Sequence, residues 1–172
     1  MRFNALTERY SYNIRGQFYG HTHRDHVGFF PSFADKEKLA AYYLISPSLT
    51  TYSDKHPEYR VMTLDYDTLQ VIDYEQYRLD LTKFKSKEDN AKFELFYRFK
   101  EAYKLPDMTI SGGMSQLKHL LQTDNETQIK YTYFKSSGTE KGHAGKDIYC
   151  DTMPSPQWAT ECNGGTFKPG TF

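Results

Sequence analysis

Short β-prone runs follow one another closely in the first eighty residues, and this spacing constrains the fold more than any other feature. Strand-like runs are expected at 17–19, 27–30, 40–45, 59–64 and 69–74. The run at 59–64 alternates polar and apolar residues, as a half-buried strand does, and residues 65–68 suit a hairpin turn. A helix is expected before these runs at 3–14, because apolar residues recur there at spacings of three and four.

The chain changes character after residue 82. A wide apolar face predicts a helix over 88–103, which Pro106 would end. Two further helices are expected at about 115–121 and 126–134. The fold class predicted from these patterns is α/β, more closely α+β.

The C-terminal stretch 136–172 is rich in Gly, Ser, Thr and Pro and is expected to be loop, with the last ten residues mobile. It contains both cysteines of the chain, Cys150 and Cys162. Two cysteines can form one disulfide that closes a small loop, or remain free thiols in a reducing compartment, and spacing alone does not decide between these. A zinc site built with His143 lacks a fourth ligand at suitable spacing.

The charge balance argues against one class of partner. The chain of 172 residues has 22 basic and 22 acidic residues, whereas nucleic-acid-binding domains usually have a basic excess. No nucleic-acid partner is therefore expected. The longest apolar stretch, 39–45, is too short to span a bilayer, and the N-terminus lacks the apolar segment of a signal peptide.

One stretch carries recognisable chemistry: Gly20, His21, Thr22 and His23. It has neither helical nor strand periodicity, so it is predicted to be a loop at a strand end. Two histidines at i and i+2 on a curling loop can both point inward, and imidazole is a common neutral metal ligand. The pattern by itself is a weak signal, because such pairs also occur by chance.

Four blocks of the sequence, in order, resemble one family. Residues 16–25, which contain the histidine pair, are similar to the last metal-binding block of calcineurin-like phosphoesterases. More narrowly, they resemble the acid sphingomyelinases and acid sphingomyelinase-like phosphodiesterases. Further similar blocks lie at 46–52 with 57–61, at 77–82, and at 96–106. The resemblance is dense over roughly residues 5–110 and thins beyond.

The resemblance implies a partial metallophosphoesterase β-sandwich flanked by helices, with a helical C-terminal subdomain. Residues 1–82 would be the last part of the catalytic domain, 83–136 the helical subdomain, and 137–172 a loop-rich tail. It also implies a two-zinc phosphodiester hydrolase in which His21 and His23 each bind one metal. Two such metals would clamp the phosphate and activate a water.

The implied substrate is a phosphodiester or phospholipid. It would be sphingomyelin or a similar phosphodiester. If the chain instead resembles the acid sphingomyelinase-like phosphodiesterases more closely, the substrate would be a nucleotide or other small phosphate ester. The loops that would recognise the leaving group are expected outside this sequence, so the metal block does not separate these substrates. The oligomeric state is not predicted.

The sequence departs from the family in its other metal-binding blocks. The Asp-x-His, Gly-Asp-x-x-Asp and Asn-His-Glu blocks and an isolated histidine are absent, and they would precede Met1. Two imidazoles cannot complete a zinc shell, which takes three protein ligands and a water. The chain alone is therefore expected to be inactive, as a fragment, a truncated gene model or a piece of a degenerate paralogue. A non-catalytic binding module is the alternative.

Two residues near the histidine pair are secondary candidates. Tyr52 could hydrogen-bond a phosphate oxygen or stack on a choline head group, although it could equally be a packing tyrosine. Asp25 could orient a metal-bound imidazole as a second-shell carboxylate, or simply cap a turn. Arg24 and Arg60 could neutralise a phosphate, and His26 could be a second-shell group. The expectation for these residues is nevertheless a surface position, with the arginines in ion pairs, and the remaining histidines are also expected in solvent: His56, His119 and His143.

Asn125 begins a glycosylation sequon with Glu126 and Thr127, which has a physical role only if the chain is exported. The family resemblance implies a secreted or lysosomal protein. The same context favours a disulfide between Cys150 and Cys162.

Overall fold

Two three-stranded sheets and five short α-helices form the parts of the chain that the structure, a computed structural model, describes: residues 2–52, 54–86, 90–153 and Cys162. The predicted α/β fold class is confirmed. The strands are β1 Phe18–Tyr19, β2 His26–Pro31, β3 Leu39–Ile45, β4 Glu58–Leu64, β5 Val71–Arg78 and β6 Glu94–Arg98. The helices are α1 Arg2–Arg9, α2 Phe99–Tyr103, α3 Ser115–Thr123, α4 Asn125–Lys135 and α5 Lys146–Asp151.

The first sheet has the order β1-β3-β2, with β1 parallel and β2 antiparallel to the central strand β3. Tyr19 at the end of β1 and His26 at the start of β2 both lie opposite Ile45. The segment 20–25 therefore passes over the end of β3, from one edge strand to the other. This topology explains why the histidine pair lies on a loop at a strand end, as the sequence predicted.

The second sheet has the antiparallel order β4-β5-β6. The predicted turn between β4 and β5 is present, and the Asp65 carboxylate accepts hydrogen bonds from the Thr68 amide and hydroxyl. The alternation predicted for β4 is also present, but the charged side faces inward. Glu58 is 1% exposed, whereas Tyr59 and Val61 on the other side are 37% and 49% exposed.

The helix predicted over 88–103 is wrong over most of its length. Residues 94–98 form β6, which pairs with β5, and the helix is confined to Phe99–Tyr103. Closely spaced apolar residues fit a strand as well as a helix, and β5 offers an edge that satisfies the backbone of this segment. The helix ends at Lys104 in a left-handed conformation (φ 54°), two residues before Pro106. Residues 88 and 89 lie outside the described chain.

The other helix predictions differ from the structure mainly in their ends. The N-terminal helix stops at Arg9 rather than continuing to Ile14, and α3 and α4 agree with the predicted segments. The tail predicted to be loop contains α5, whose Ile148 and Tyr149 are buried. Residues 163–172, predicted to be mobile, lie outside the described part of the chain.

One hydrophobic cluster draws on all three segments of the predicted division at 1–82, 83–136 and 137–172. It includes Phe29 from the first sheet, Tyr74 from the second, Leu121 from α3 and Ile148 from α5. The division itself stays a prediction, although its helical segment contributes β6 to the second sheet. None of the helices in the described residues is long and apolar enough to cross a membrane.

We expect the variant Leu121→Ala to lower the free energy of unfolding by about 2–5 kcal/mol, because Leu121 is fully buried and its truncation leaves a cavity. The half-exposed Ile129 on α4 is the matched control, and Ile129→Ala should cost about 1 kcal/mol or less. Urea unfolding followed by far-UV circular dichroism measures both. Equal losses for the two variants would contradict this assignment of the core.

Candidate metal centre

The loop 20–25 holds both candidate ligands in an uncommon backbone conformation. His21 has φ 84° and His23 has φ 57°, in the left-handed region that residues with a Cβ seldom occupy. Each such residue costs about 1–3 kcal/mol and persists where its surroundings over-determine it, often at functional sites. The loop is therefore held in place by contacts beyond its own sequence.

His23 is partly exposed, yet its Nδ1 atom is buried without a hydrogen-bond partner among the described residues. A buried unpartnered nitrogen in a native structure calls for an explanation, such as an ion. His21 is exposed on the same loop. Both residues are thus on one loop over the end of β3, and their role as metal ligands stays a prediction.

Tyr52 lies beside His23. Their ring centroids are 5.5 Å apart in an edge-to-face arrangement, and Tyr52 is 73% exposed. The structure therefore brings the predicted substrate-contacting tyrosine next to one predicted ligand, with most of its ring open to solvent. A contact between Tyr52 and substrate stays a prediction.

Asp25 is buried at the end of the loop, where it forms an ion pair with Arg60 of β4. Arg60 Nη2 lies 2.5 Å from Asp25 Oδ1, and the Tyr97 hydroxyl of β6 donates to Asp25 Oδ2. Both carboxylate oxygens are thus bonded to residues of the second sheet. The second-shell role predicted for Asp25 toward an imidazole stays a prediction, and turn capping does not describe these contacts.

Arg60 was expected in a surface ion pair, and this is wrong. Its side chain is 2% exposed, its Nε donates to Gln76 Oε1 at 2.9 Å, and its guanidinium lies 3.8 Å from the centre of the Tyr74 ring. Burial opposes the charge, but Asp25 and the neighbouring tyrosines Tyr74 and Tyr97 outweigh burial and raise the pKa of Arg60. Arg24, by contrast, is exposed as predicted.

Glu58 faces the same buried region from the start of β4. Neither of its carboxylate oxygens has a hydrogen-bond partner within the described chain, and the same holds for Arg60 Nη1 and Ser137 Oγ. Burial raises the pKa of Glu58 to about 8, and the negative charge of Asp25 acts in the same direction. The side chains of Ser137, Arg78 and Arg60 lower this pKa, but by less. Glu58 is consequently mostly protonated near pH 7.

Two further histidines are buried, although they were expected to face solvent. His26 Nδ1 lies 2.9 Å from the Tyr131 hydroxyl of α4. Burial lowers the pKa of His26 to about 4, and the positive charge of Lys135 acts in the same direction. The negative charges of Asp151 and Asp25 raise this pKa, but by less.

His56 Nδ1 accepts a hydrogen bond from the Leu81 amide at 3.2 Å. Its pKa is lowered by burial, with Asp80 raising it and Arg78 lowering it. His119 and His143 are exposed, as predicted.

The predicted disulfide and glycosylation sites lie in the C-terminal half of the sequence, far along the chain from the histidine loop. Cys150 of α5 and Cys162 form a disulfide across a separation of 12 residues. Asn125 is exposed at the first position of α4. The Thr127 hydroxyl of the sequon donates to Asp124, which caps this helix.

The two histidines suit zinc in chemistry but not in number. No group of three or more His, Cys, Asp or Glu side chains placed to hold a metal ion occurs in the described residues. The pair therefore fits a metal only as part of a centre whose other ligands come from elsewhere.

Comparison with known proteins gives no matching family model but several similar curated proteins. The chain is 31% identical over 165 residues to sphingomyelin phosphodiesterase A of Dictyostelium discoideum, which covers 95% of this chain and 27% of that protein. It is 36% identical over 139 residues to sphingomyelin phosphodiesterase of Bos taurus, covering 77% of this chain and 21% of that protein. The chain belongs to the acid sphingomyelinase family.

The acid sphingomyelinase family also has a relative with another substrate in its name. The cyclic GMP-AMP phosphodiesterase SMPDL3A of Bos taurus is 30% identical over 134 residues, which is 73% of this chain and 29% of that protein. The chain thus spans between 21% and 29% of the length of these three relatives. The matched region is the C-terminal part of such proteins.

The resemblance to the acid sphingomyelinase family pointed to the histidine loop but not to the buried polar groups beside Asp25 at its end. The missed groups are Glu58, Arg60 and Tyr97. Their one sequence signal was the alternation in β4, which places Glu58 and Arg60 on a single face without saying that this face is buried.

Glu58 makes a specific pH dependence expected. Between about pH 6.5 and 8 the carboxyl of Glu58 is ionised in the unfolded chain but still wholly or partly protonated in the folded chain, because its pKa rises from 4.5 to about 8. The folded state binds more protons at Glu58, so the contribution of this group to stability falls with rising pH, by at most roughly 1.4 kcal/mol per unit and by about half of that near pH 8. His26 and His56, whose pKa values are lowered by burial, act with the opposite sign, chiefly below about pH 7.

Urea unfolding at several pH values between 6.5 and 8 measures this slope. The variant Glu58→Gln should flatten it. Glu75→Gln is the control, because the pKa of Glu75 is lowered by hydrogen bonds from Tyr77 and Arg98 and so does not titrate in this range. The assignment fails if Glu58→Gln retains the wild-type slope.

Proposed function

We propose that this chain supplies two ligands, His21 and His23, to the two-zinc centre of a phosphodiester hydrolase, with the other ligands lying outside these 172 residues. The observation that carries the proposal is the buried Nδ1 of His23, which has no hydrogen-bond partner among the residues that the structure describes, in a loop of strained backbone. The family of sphingomyelin phosphodiesterases to which the chain belongs supports the same chemistry.

Each named side chain has a distinct task in this proposal. His21 and His23 hold the metals, which when bound would polarise the phosphate and activate a water for attack. Tyr52 stands exposed beside His23, where its hydroxyl can donate to a phosphate oxygen or its ring can pack on a cationic head group. The chain alone has too few ligands to be active by itself.

We propose a sphingomyelin-type phosphodiester as the substrate, because relatives that are 36% and 31% identical to this chain carry that name. A nucleotide-type phosphodiester is the second candidate, supported by the similarity to a cyclic GMP-AMP phosphodiesterase. A non-catalytic binding module is the remaining alternative. The activity assay of the chimera described below distinguishes it from a hydrolase of either substrate class.

We also propose that the protein is secreted or lysosomal. The Cys150–Cys162 disulfide supports this, because disulfides persist in oxidising compartments. The exposure of Asn125 is compatible with glycosylation at its sequon.

A chimera tests the activity directly. The matched C-terminal segment of the Dictyostelium discoideum sphingomyelin phosphodiesterase A is replaced by this chain, which aligns with it over 165 residues. We expect the purified chimera to hydrolyse sphingomyelin, and its activity to be lost on chelation and restored by zinc. Parallel assays with cyclic GMP-AMP compare the two substrate classes.

Variants of the chimera test the two histidines. His21→Ala and His23→Ala should each lower activity by more than about 100-fold, since even the outer partners of metal ligands are worth 10–100-fold. The exposed His119 provides the control, and His119→Ala should retain activity. A folded chimera without activity would favour the binding module, and full activity in His23→Ala would refute the metal assignment.

A further inference from the structure

We propose that Arg60 is a positioning residue: through Asp25 it holds the loop 20–25 in the backbone conformation that presents His21 and His23. The inference rests on the proposed function for its purpose, because it assumes that the two histidines are ligands. The geometry on which it stands is independent of any metal.

The loop is short and is fixed at both ends. At its N-terminal end β1 pairs with β3, and the Ser46 amide donates to the Tyr19 carbonyl at 2.9 Å. At its C-terminal end the buried Asp25 is bonded to Arg60 and Tyr97. Five residues span the distance between Tyr19 and Asp25, so few backbone conformations can connect the two ends.

The conformation that connects them is strained at the two histidines. Both have positive φ, and residues other than glycine leave this region when their surroundings allow it. A fixed C-terminal end removes that freedom. Only Arg24 separates His23 from Asp25, so any movement of Asp25 acts directly on the backbone of His23.

Arg60 is suited to serve as the fixed point because it is itself held from three sides. Its Nε bonds to Gln76 of β5, its guanidinium stacks on Tyr74, and its Nη2 reaches Asp25. Gln76 in turn donates to the Tyr59 carbonyl at 3.1 Å. A planar guanidinium with several fixed donors orients a carboxylate more strictly than an ammonium group does.

Nuclear magnetic resonance of the ¹³C,¹⁵N-labelled full chain tests the proposal without metal. Scalar couplings that depend on φ, with the ¹³Cα and ¹³Cβ shifts, report the backbone of His21 and His23. We expect left-handed values in the wild type and a shift toward negative φ in Arg60→Met, with a smaller shift in Arg60→Lys. The control is Arg98→Met, which removes a half-exposed ion pair with Glu75 in the same sheet and should leave both histidines unchanged.

The measurement separates positioning from a merely structural role. A merely structural arginine would lower stability while the couplings of His21 and His23 stay at wild-type values in the folded variant, and that result would overturn the proposal. If Arg60→Met does not fold, Arg60→Lys and Asp25→Asn carry the test, since Asn keeps the shape and the acceptor oxygen of Asp25.

A zinc titration of the chelated chimera, followed by the return of its activity, connects the inference to the proposed function. We expect the apparent zinc affinity to fall by about 10–100-fold in Arg60→Met relative to Arg98→Met. If the wild-type chimera shows no zinc-dependent activity, the proposed function fails, whereas the metal-free couplings of the full chain still decide whether Arg60 positions the loop.

Discussion

The buried ion pair between Asp25 and Arg60 is the contact on which the candidate site depends. It joins the end of the histidine loop, which connects two strands of the first sheet, to β4, an edge strand of the second. Removing two charges from water is costly, and the cost is offset only when geometry and further hydrogen bonds are good. Here Tyr97, Gln76 and the ring of Tyr74 supply those additional contacts.

This ion pair also explains the inverted arrangement of β4. The strand turns Glu58 and Arg60 toward the interior, while Tyr59 and Val61 face outward. On the outer face Tyr59 stacks on Tyr77 of β5 with ring centroids 5.0 Å apart. β4 thus turns its charges inward, because Asp25 lies there, and the neutral form of Glu58 limits the number of buried charges.

Sequence patterns predicted the existence of elements better than their extent or their partners. All five predicted strands are present, since each is a short apolar or alternating run between breakers. The segment 94–98 was predicted to be helical because its apolar residues satisfy the helical period, and only the open edge of β5 makes it a strand. The helix α5 has no strong period of its own and forms where Ile148 and Tyr149 can enter the core.

The candidate site shows the same division. The histidine pair and the family were determined by the sequence alone, because ligand chemistry and motif order are local properties of the chain. The burial of Asp25, Glu58, Arg60 and His26 was decided only by the tertiary structure. Burial depends on which distant residues meet. Arg60 lies 35 positions after Asp25 in the chain, and Tyr97 lies 72 positions after Asp25. No local sequence pattern shows that these side chains share one interior.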